Sequence, residues 1–159
     1  MAGQEITESA CLSDVVAALR EGLGDDLVAV ALFGSRARGD AGEGSDWDVF
    51  VLAHHLPGRI LERHQRLKRL LPDAWRGRVA LLANTPQEFA AHLPPLWLDI
   101  ALDGIVLYDP EGYATDRLAQ LRELIRRRGL IRERAGRDLV WRWERFPGFN
   151  WSLQWDQAS

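Results

Sequence analysis

The stretch that decides the reading is Leu32-Phe33-Gly34-Ser35-Arg36-Ala37-Arg38-Gly39-Asp40. It is followed closely by Ser45-Asp46-Trp47-Asp48-Val49-Phe50-Val51-Leu52. An apolar run from Leu27 to Phe33 ends in a Gly-Ser turn, and two aspartates one residue apart head the next apolar run. Carboxylates at the start of a buried strand are costly unless they are paired or bind a metal. Side chains two apart on a strand point to the same side, so Asp46 and Asp48 project together while Trp47 faces the other way. Such a pair suits a hard divalent cation such as Mg²⁺. The Gly34-Ser35 turn, opening a short helix, presents backbone N–H groups where an anion is favoured. Gly34 permits close approach of the backbone, and Ser35 adds a hydroxyl donor. A triphosphate with its metal ions joins the two halves: phosphate oxygens on the turn, cations on the acids.

Working outward, Ser9 or Ser13 is expected to cap a helix reaching about Leu23, with Leu12, Val15, Val16 and Leu19 on one face. Gly39, Gly42 and Gly44 mark a loop, and Trp47 to Ala53 reads as the second strand. Arg59 to Leu71 reads as a helix with Ile60, Leu61, Leu67, Leu70 and Leu71 inward. Arg78 to Asn84 is a third strand. Thr85-Pro86-Gln87-Glu88 is a helix start with a capping box. Pro94-Pro95 opens another helix through Leu96, Leu98, Ile100 and Leu102. Ile105 to Tyr108 is short and extended, and Glu111 to Arg128 is a helix with Leu118, Leu121, Leu124 and Ile125 inward. Strands alternating with helices argue an α/β fold, a small mixed sheet flanked by helices. Four of seven tryptophans, Trp141, Trp143, Trp151 and Trp155, fall in the last nineteen residues. The period-two runs Val140 to Glu144 and Trp151 to Trp155, with Pro147-Gly148 between them, predict a hairpin or two extended arms. Packing of these aromatics on the chain's own core or on a partner is expected over base stacking.

A chain of 159 residues, 47% apolar and 27% charged, fits one domain with a real core. No apolar run approaches the ~20 residues that span a bilayer, and the N-terminus lacks the pattern of a signal peptide. The single cysteine, Cys11, fits a reducing cytoplasm. Residues 1–116 hold 18 acids against 10 bases, whereas residues 117–145 hold 10 arginines against 4 acids. A solvated helix face accounts for that basic block better than nucleic acid does. His54-His55 reads as a surface turn, and His64 and His92 have no companions at ligand spacing.

The composite motif, Gly34-Ser35, Gly39 and Asp46-x-Asp48, resembles the signature of the DNA polymerase beta-like nucleotidyltransferase superfamily, and within it the minimal nucleotidyltransferases (MNT). The resemblance implies a nucleotidyltransferase core over residues 1–110, with residues 111–159 a C-terminal helix and Trp-rich extension of the same domain. It implies that Asp46 and Asp48 are catalytic and hold Mg²⁺, with two ions expected in the family. It implies that Gly34, Ser35, Arg36 and Ser45 bind ATP or another nucleoside triphosphate. Arg36 and Arg38 lie where they could offset triphosphate charge, although solvent exposure explains them equally. Family members often serve as antitoxins beside a helical HEPN toxin, so the partner expected is such a protein; homo-oligomerisation is left open.

One departure is visible. The family usually takes a third acid from the next core strand, and the matching strand here places Ala80 at that position with no carboxylate anywhere along it. Asp99, Asp103 and Glu88 are the remaining candidates, each with an ordinary explanation. Two functions therefore compete: transfer of a nucleotidyl group, AMP from ATP, to a hydroxyl; and a catalytically weak relative that binds a partner. An antibiotic-modifying transferase is a third reading, for which the chain has little room.

Overall fold

The computed structural model describes residues 12–149 and 151–155. In chain order the elements are α1 (Ser13–Leu23), a 3-10 turn (Gly24–Asp26), β1 (Leu27–Phe33), α2 (Gly34–Arg38), β2 (Trp47–Ala53), α3 (Ile60–Leu70), α4 (Asp73–Arg76), β3 (Val79–Asn84), α5 (Pro86–Ala91), α6 (Pro95–Asp103), β4 (Ile105–Tyr108), α7 (Tyr113–Arg128), β5 (Leu130–Ala135) and β6 (Asp138–Trp143). The first four strands form one sheet in the order β3-β2-β1-β4, and β5 and β6 form a separate two-stranded sheet. β1 runs antiparallel to β2 and β4, and β2 runs parallel to β3. The fold is the mixed α/β sheet flanked by helices that the sequence predicts.

The two central strands, β1 and β2, are buried on both faces, which is why they are nearly continuous apolar runs. On one face Ala31, Phe50 and Leu52 pack with Trp97 and Ile100 of α6 and Leu118, Leu121 and Leu124 of α7. On the other, Trp47, Val49 and Val51 pack with Val15 and Leu19 of α1, Leu67 of α3, and Trp75. The alternation of β2 thus assigns Trp47 to one layer and Asp48, two residues before Phe50, to the opposite side. Among the described residues, no helix is long and apolar enough to cross a membrane.

Several expectations need correction. Ser13 is the first residue of α1, and the cap position is Leu12, which makes no side-chain cap bond; Ser9 and Cys11 lie outside the described residues. Ile60 and Leu61 are 82% and 69% exposed. Arg63 takes the buried place instead, its guanidinium donating to the carbonyls of Pro57 and Ala83 and to both carboxylate oxygens of Glu88. A long side chain whose guanidinium nitrogens are all hydrogen-bonded can occupy an apolar face that hydropathy alone would deny it. The helix expected after Pro94-Pro95 is present as α6, whose inward residues are Trp97, Leu98, Ile100 and Ala101, with Leu96 and Leu102 turned outward. The hairpin is also not where the tryptophans place it. β6 pairs with β5 through the two-residue turn Gly136-Arg137, led by Gly136 at φ 65°, and Trp151–Trp155 form no strand.

Trp141, Trp143 and Trp155 pack on the body, whereas Trp151 is exposed and meets only the Trp143 ring among the aromatic contacts of the described residues. The Trp155 ring meets Phe89 edge-on at 5.0 Å, and its indole N–H donates to the carbonyls of Phe89 and His92. Trp97 Nε1 also donates to His92 O. Two indoles therefore satisfy carbonyls left over at the end of α5.

β3 is an edge strand whose even-numbered backbone groups face β2, as the bond from Trp47 N to Arg78 O shows. The outward carbonyls of Val79 and Ala83 accept from Lys68 Nζ and Arg63 Nη1.

The capping box at the start of α5 is present as predicted. Thr85 Oγ1 accepts from Glu88 N at 3.1 Å, and Glu88 Oε2 accepts from Thr85 N at 2.9 Å. The hydrogen bonds from Arg63 hold the Glu88 carboxyl below its ordinary range, with burial opposing and the Thr85 amide assisting. A carboxylate depressed by folding adds stability above its unfolded value, and that share is lost as pH falls through the folded value. Glu88→Gln is therefore expected to melt lower than wild type at pH 7 and to lose less between pH 5 and 2. Parallel melting-temperature curves for the two proteins would refute this.

Candidate active site

The site begins where β1 stops. Phe33 is the register partner of Asp48, so the residue after Phe33 arrives beside that carboxylate. Gly34 has φ 72°, and a Cβ built there would lie 2.2 Å from Asp48 Oδ2. Only glycine fits, on both conformational and steric grounds. α2 starts at this contact and is closed by Gly39, whose amide donates to Ser35 O at 3.0 Å.

The returning loop is shaped by Ser45. Its hydroxyl accepts from Gly42 N at 3.0 Å, its amide donates to Gly42 O at 3.1 Å, and its carbonyl accepts from Arg36 Nη2 at 3.0 Å. Arg36 also lies over the Trp47 ring at 4.7 Å. Its Nε and Trp47 Nε1 are buried with no hydrogen-bond partner among the described residues. Arg36 and Ser45 thus fix the loop that delivers Asp46 and Asp48, and the Ser45 hydroxyl keeps its own proton to donate.

Asp46 is exposed and Asp48 is half-buried. Burial raises the Asp48 carboxyl above its ordinary value, and the negative charge of Asp46 raises it further, while Arg38 acts in the opposite sense. Two like charges forced this close stand ready for a cation. Among the described residues no group of three or more His, Cys, Asp or Glu is arranged to hold a metal ion. Two carboxylates are nevertheless what Mg²⁺ takes from a protein when phosphate oxygens and water complete its octahedron, so the donor set fits.

The strand register places Ala80 directly beside Asp48 on β3. The other candidate acids are engaged elsewhere. Glu88 caps α5 and pairs with Arg63. Asp99 accepts from Arg132 and Trp141. Asp103 accepts from Arg132 in bidentate fashion, at 2.6 and 2.7 Å, and from Arg38 at 3.4 Å. A cavity of about 540 Å³ runs along the β3 edge and is lined by Arg63, His64, Glu88 and His92, among others; none of the residues from Gly34 to Asp48 borders it. The candidate site is an open surface at the other end of the sheet.

A family model for the nucleotidyltransferase domain matches residues 12–133. The chain belongs to the nucleotidyltransferase domain family. The match stops within β5, so β6 and the terminal aromatics lie beyond it. A Methanocaldococcus jannaschii protein, named provisionally as a protein adenylyltransferase, is 28% identical over 120 residues, covering 73% of this chain and 82% of its own. Among solved structures, a toxin–antitoxin complex with AMP-PNP is 22% identical, covers 72% of this chain and 90% of that one, and superposes with a TM-score of 0.50. The Shewanella oneidensis MNT antitoxin in complex with a tri-AMPylated HEPN toxin gives 21% identity, 72% and 86% coverage, and a TM-score of 0.45. The nucleotidyltransferase assignment and the fold agree with the resemblance read from the Gly-Ser and Asp-x-Asp motifs.

Sequence reasoning missed Arg132 and Arg134. Arg134 bonds Asp40 at 2.8 Å, and Asp40 also accepts from Arg38 at 3.2 Å. A signal was present: two arginines two apart share one face of a strand. That face is the one turned towards α2 and α6.

Proposed function

We propose that this nucleotidyltransferase moves AMP from ATP to a hydroxyl of a protein or small molecule, with Mg²⁺ on Asp46 and Asp48, and that it acts beside a HEPN-like toxin as its antitoxin. The observation that carries this reading is the seating of Asp48 on Gly34, which joins a turn rich in N–H donors to a pair of carboxylates. The protein adenylyltransferase assignment of the M. jannaschii relative supports the chemistry. The toxin–antitoxin neighbour with AMP-PNP supports nucleotide and partner.

In this reading the N–H groups of Gly34 and Ser35 receive phosphate oxygens, and the Ser35 hydroxyl adds a donor. Arg36 and Ser45 hold the loop so that Asp46 and Asp48 converge. Arg38, close enough to Asp48 to lower its proton affinity, is the cation best placed to face phosphate charge. Bound Mg²⁺ would neutralise the triphosphate and polarise the reacting phosphoryl oxygen. Titration calorimetry with ATP tests the site. Binding is expected in Mg²⁺ and lost in chelator, and Asp46→Asn with Asp48→Asn is expected to remove the Mg²⁺-dependent part while the melting transition persists. Equal affinity with and without Mg²⁺, or none in either, would sink the reading.

A second reading is favoured by one observation, the alanine beside Asp48. A chain that binds ATP in Mg²⁺ and captures its partner, yet transfers no label from ATP, would be a binding module built on this fold.

A further inference from the structure

The carboxylates nearest Arg38 are each shared. Asp40 Oδ2 accepts from Arg38 Nε at 3.2 Å and from Arg134 Nη2 at 2.8 Å. Asp103 Oδ2 accepts from Arg38 Nη1 at 3.4 Å and from Arg132 Nη1 at 2.6 Å. In both cases one oxygen serves two cations, and the arginine from β5 makes the shorter bond. Arg132 is itself anchored by Asp99, which is held in turn by the Trp141 indole at 3.0 Å. Asp103 is the most enclosed of the group, its side chain 9% exposed. A carboxylate so enclosed could not lose its only cation without cost. With Arg132 and Arg134 in place, Arg38 can leave both acids and neither is stranded.

We propose that Arg132 and Arg134 are positioning residues that neutralise Asp103 and Asp40, leaving Arg38 free to turn to the phosphates of a bound nucleoside triphosphate. The inference rests on the nucleotide reading of the Gly34-Ser35 turn, and it makes the β5–β6 hairpin a working part of the site. Without Arg132, the whole field of Asp103 falls on Arg38 and holds it away from the ligand. Charge-assisted bonds of this kind are strong enough to compete with phosphate for one guanidinium.

The test is calorimetric titration of the full chain with AMP-PNP in Mg²⁺, with melting temperatures taken alongside. Arg132→Met is expected to weaken affinity by about five- to tenfold, within the range of coupled pairs. Arg134→Met, at a more exposed pair, is expected to weaken it by about two- to threefold. In an Arg38→Met background both changes should leave affinity where Arg38→Met alone puts it, while still lowering the melting temperature as they do in wild type. Losses that add in the Arg38→Met background, or unchanged affinity in Arg132→Met and Arg134→Met, overturn the proposal while the site reading stands. Should Arg132→Met fail to fold, Arg134→Met and its double with Arg38→Met decide the question alone. Wild-type protein that binds no AMP-PNP removes the site reading, and this proposal with it.

Discussion

In an Ala80→Asp protein, nucleotidyl transfer to a cognate acceptor is expected to run about 10²–10⁴-fold faster than in wild type, the range that a well-placed general base supplies. The expectation rests on register. Asp48 and Ala80 are paired on parallel strands, so a side chain at 80 emerges on the same face as Asp48. Ala80 is only partly buried, which leaves a new carboxylate access to water. A third like charge also carries a penalty. The variant should melt below wild type in chelator and recover in Mg²⁺, a pattern that a surface aspartate would not show. The measurement is transfer from labelled ATP with a HEPN-like toxin, the partner class proposed above, supplied as acceptor, comparing wild type, Ala80→Asp and Asp48→Asn. Wild-type labelling as fast as that of Ala80→Asp would show that a base is already supplied from elsewhere.

Gly34→Ala should abolish Mg²⁺-dependent ATP binding, weakening it at least about 100-fold, and should destabilise the fold by roughly 1–3 kcal/mol through backbone strain alone. Two causes act together. The residue sits at φ 72°, and its new methyl would fall 2.2 Å from Asp48 Oδ2. The carboxylate must then swing away from the turn, separating the two halves of the site. Gly39→Ala serves as the control. It meets the same kind of backbone cost at φ 82°, yet has nothing within 4 Å of its added Cβ. Comparable loss of stability with retained ATP affinity in Gly39→Ala, and loss of both in Gly34→Ala, is the expected contrast. Equal affinities in the two variants would show that the Gly34–Asp48 contact does not matter to binding.

What was legible in the sequence was local. Gly34 follows directly on β1 and Asp48 lies in β2, the next strand in the chain, so a turn signal and a period-two pattern suffice to bring them together. The Thr85–Glu88 box spans four residues and was readable for the same reason. The Ala80 position followed from matching the starts of two apolar strands. What escaped depends on partners distant in sequence. Arg63 is buried because Pro57, Ala83 and Glu88 converge on it, and no window of helical periodicity contains that information. The inner face of β5 carries Arg132, whose partners Asp99 and Asp103 lie on α6, and Arg134, whose partner Asp40 follows α2. Its polar residues point inward, and an alternation read by hydropathy cannot find it. The tryptophans were misassigned because alternation in Trp151–Trp155 looks the same whether a strand forms or an indole reaches back to His92 O.

The carbonyls of Val79 and Ala83 bear on something other than the site. β3 carries the run Val79-Ala80-Leu81-Leu82-Ala83, free of charge and rich in strand-forming residues. Such a run along an open edge is a template on which a second molecule can add a strand and begin an aggregate. Lys68 and Arg63 occupy the outward carbonyls of Val79 and Ala83, on either side of Leu81, and set two cations in the path of any incoming backbone. Loss of either basic side chain is expected to lower the concentration at which the protein stays in solution, seen first as precipitation during expression.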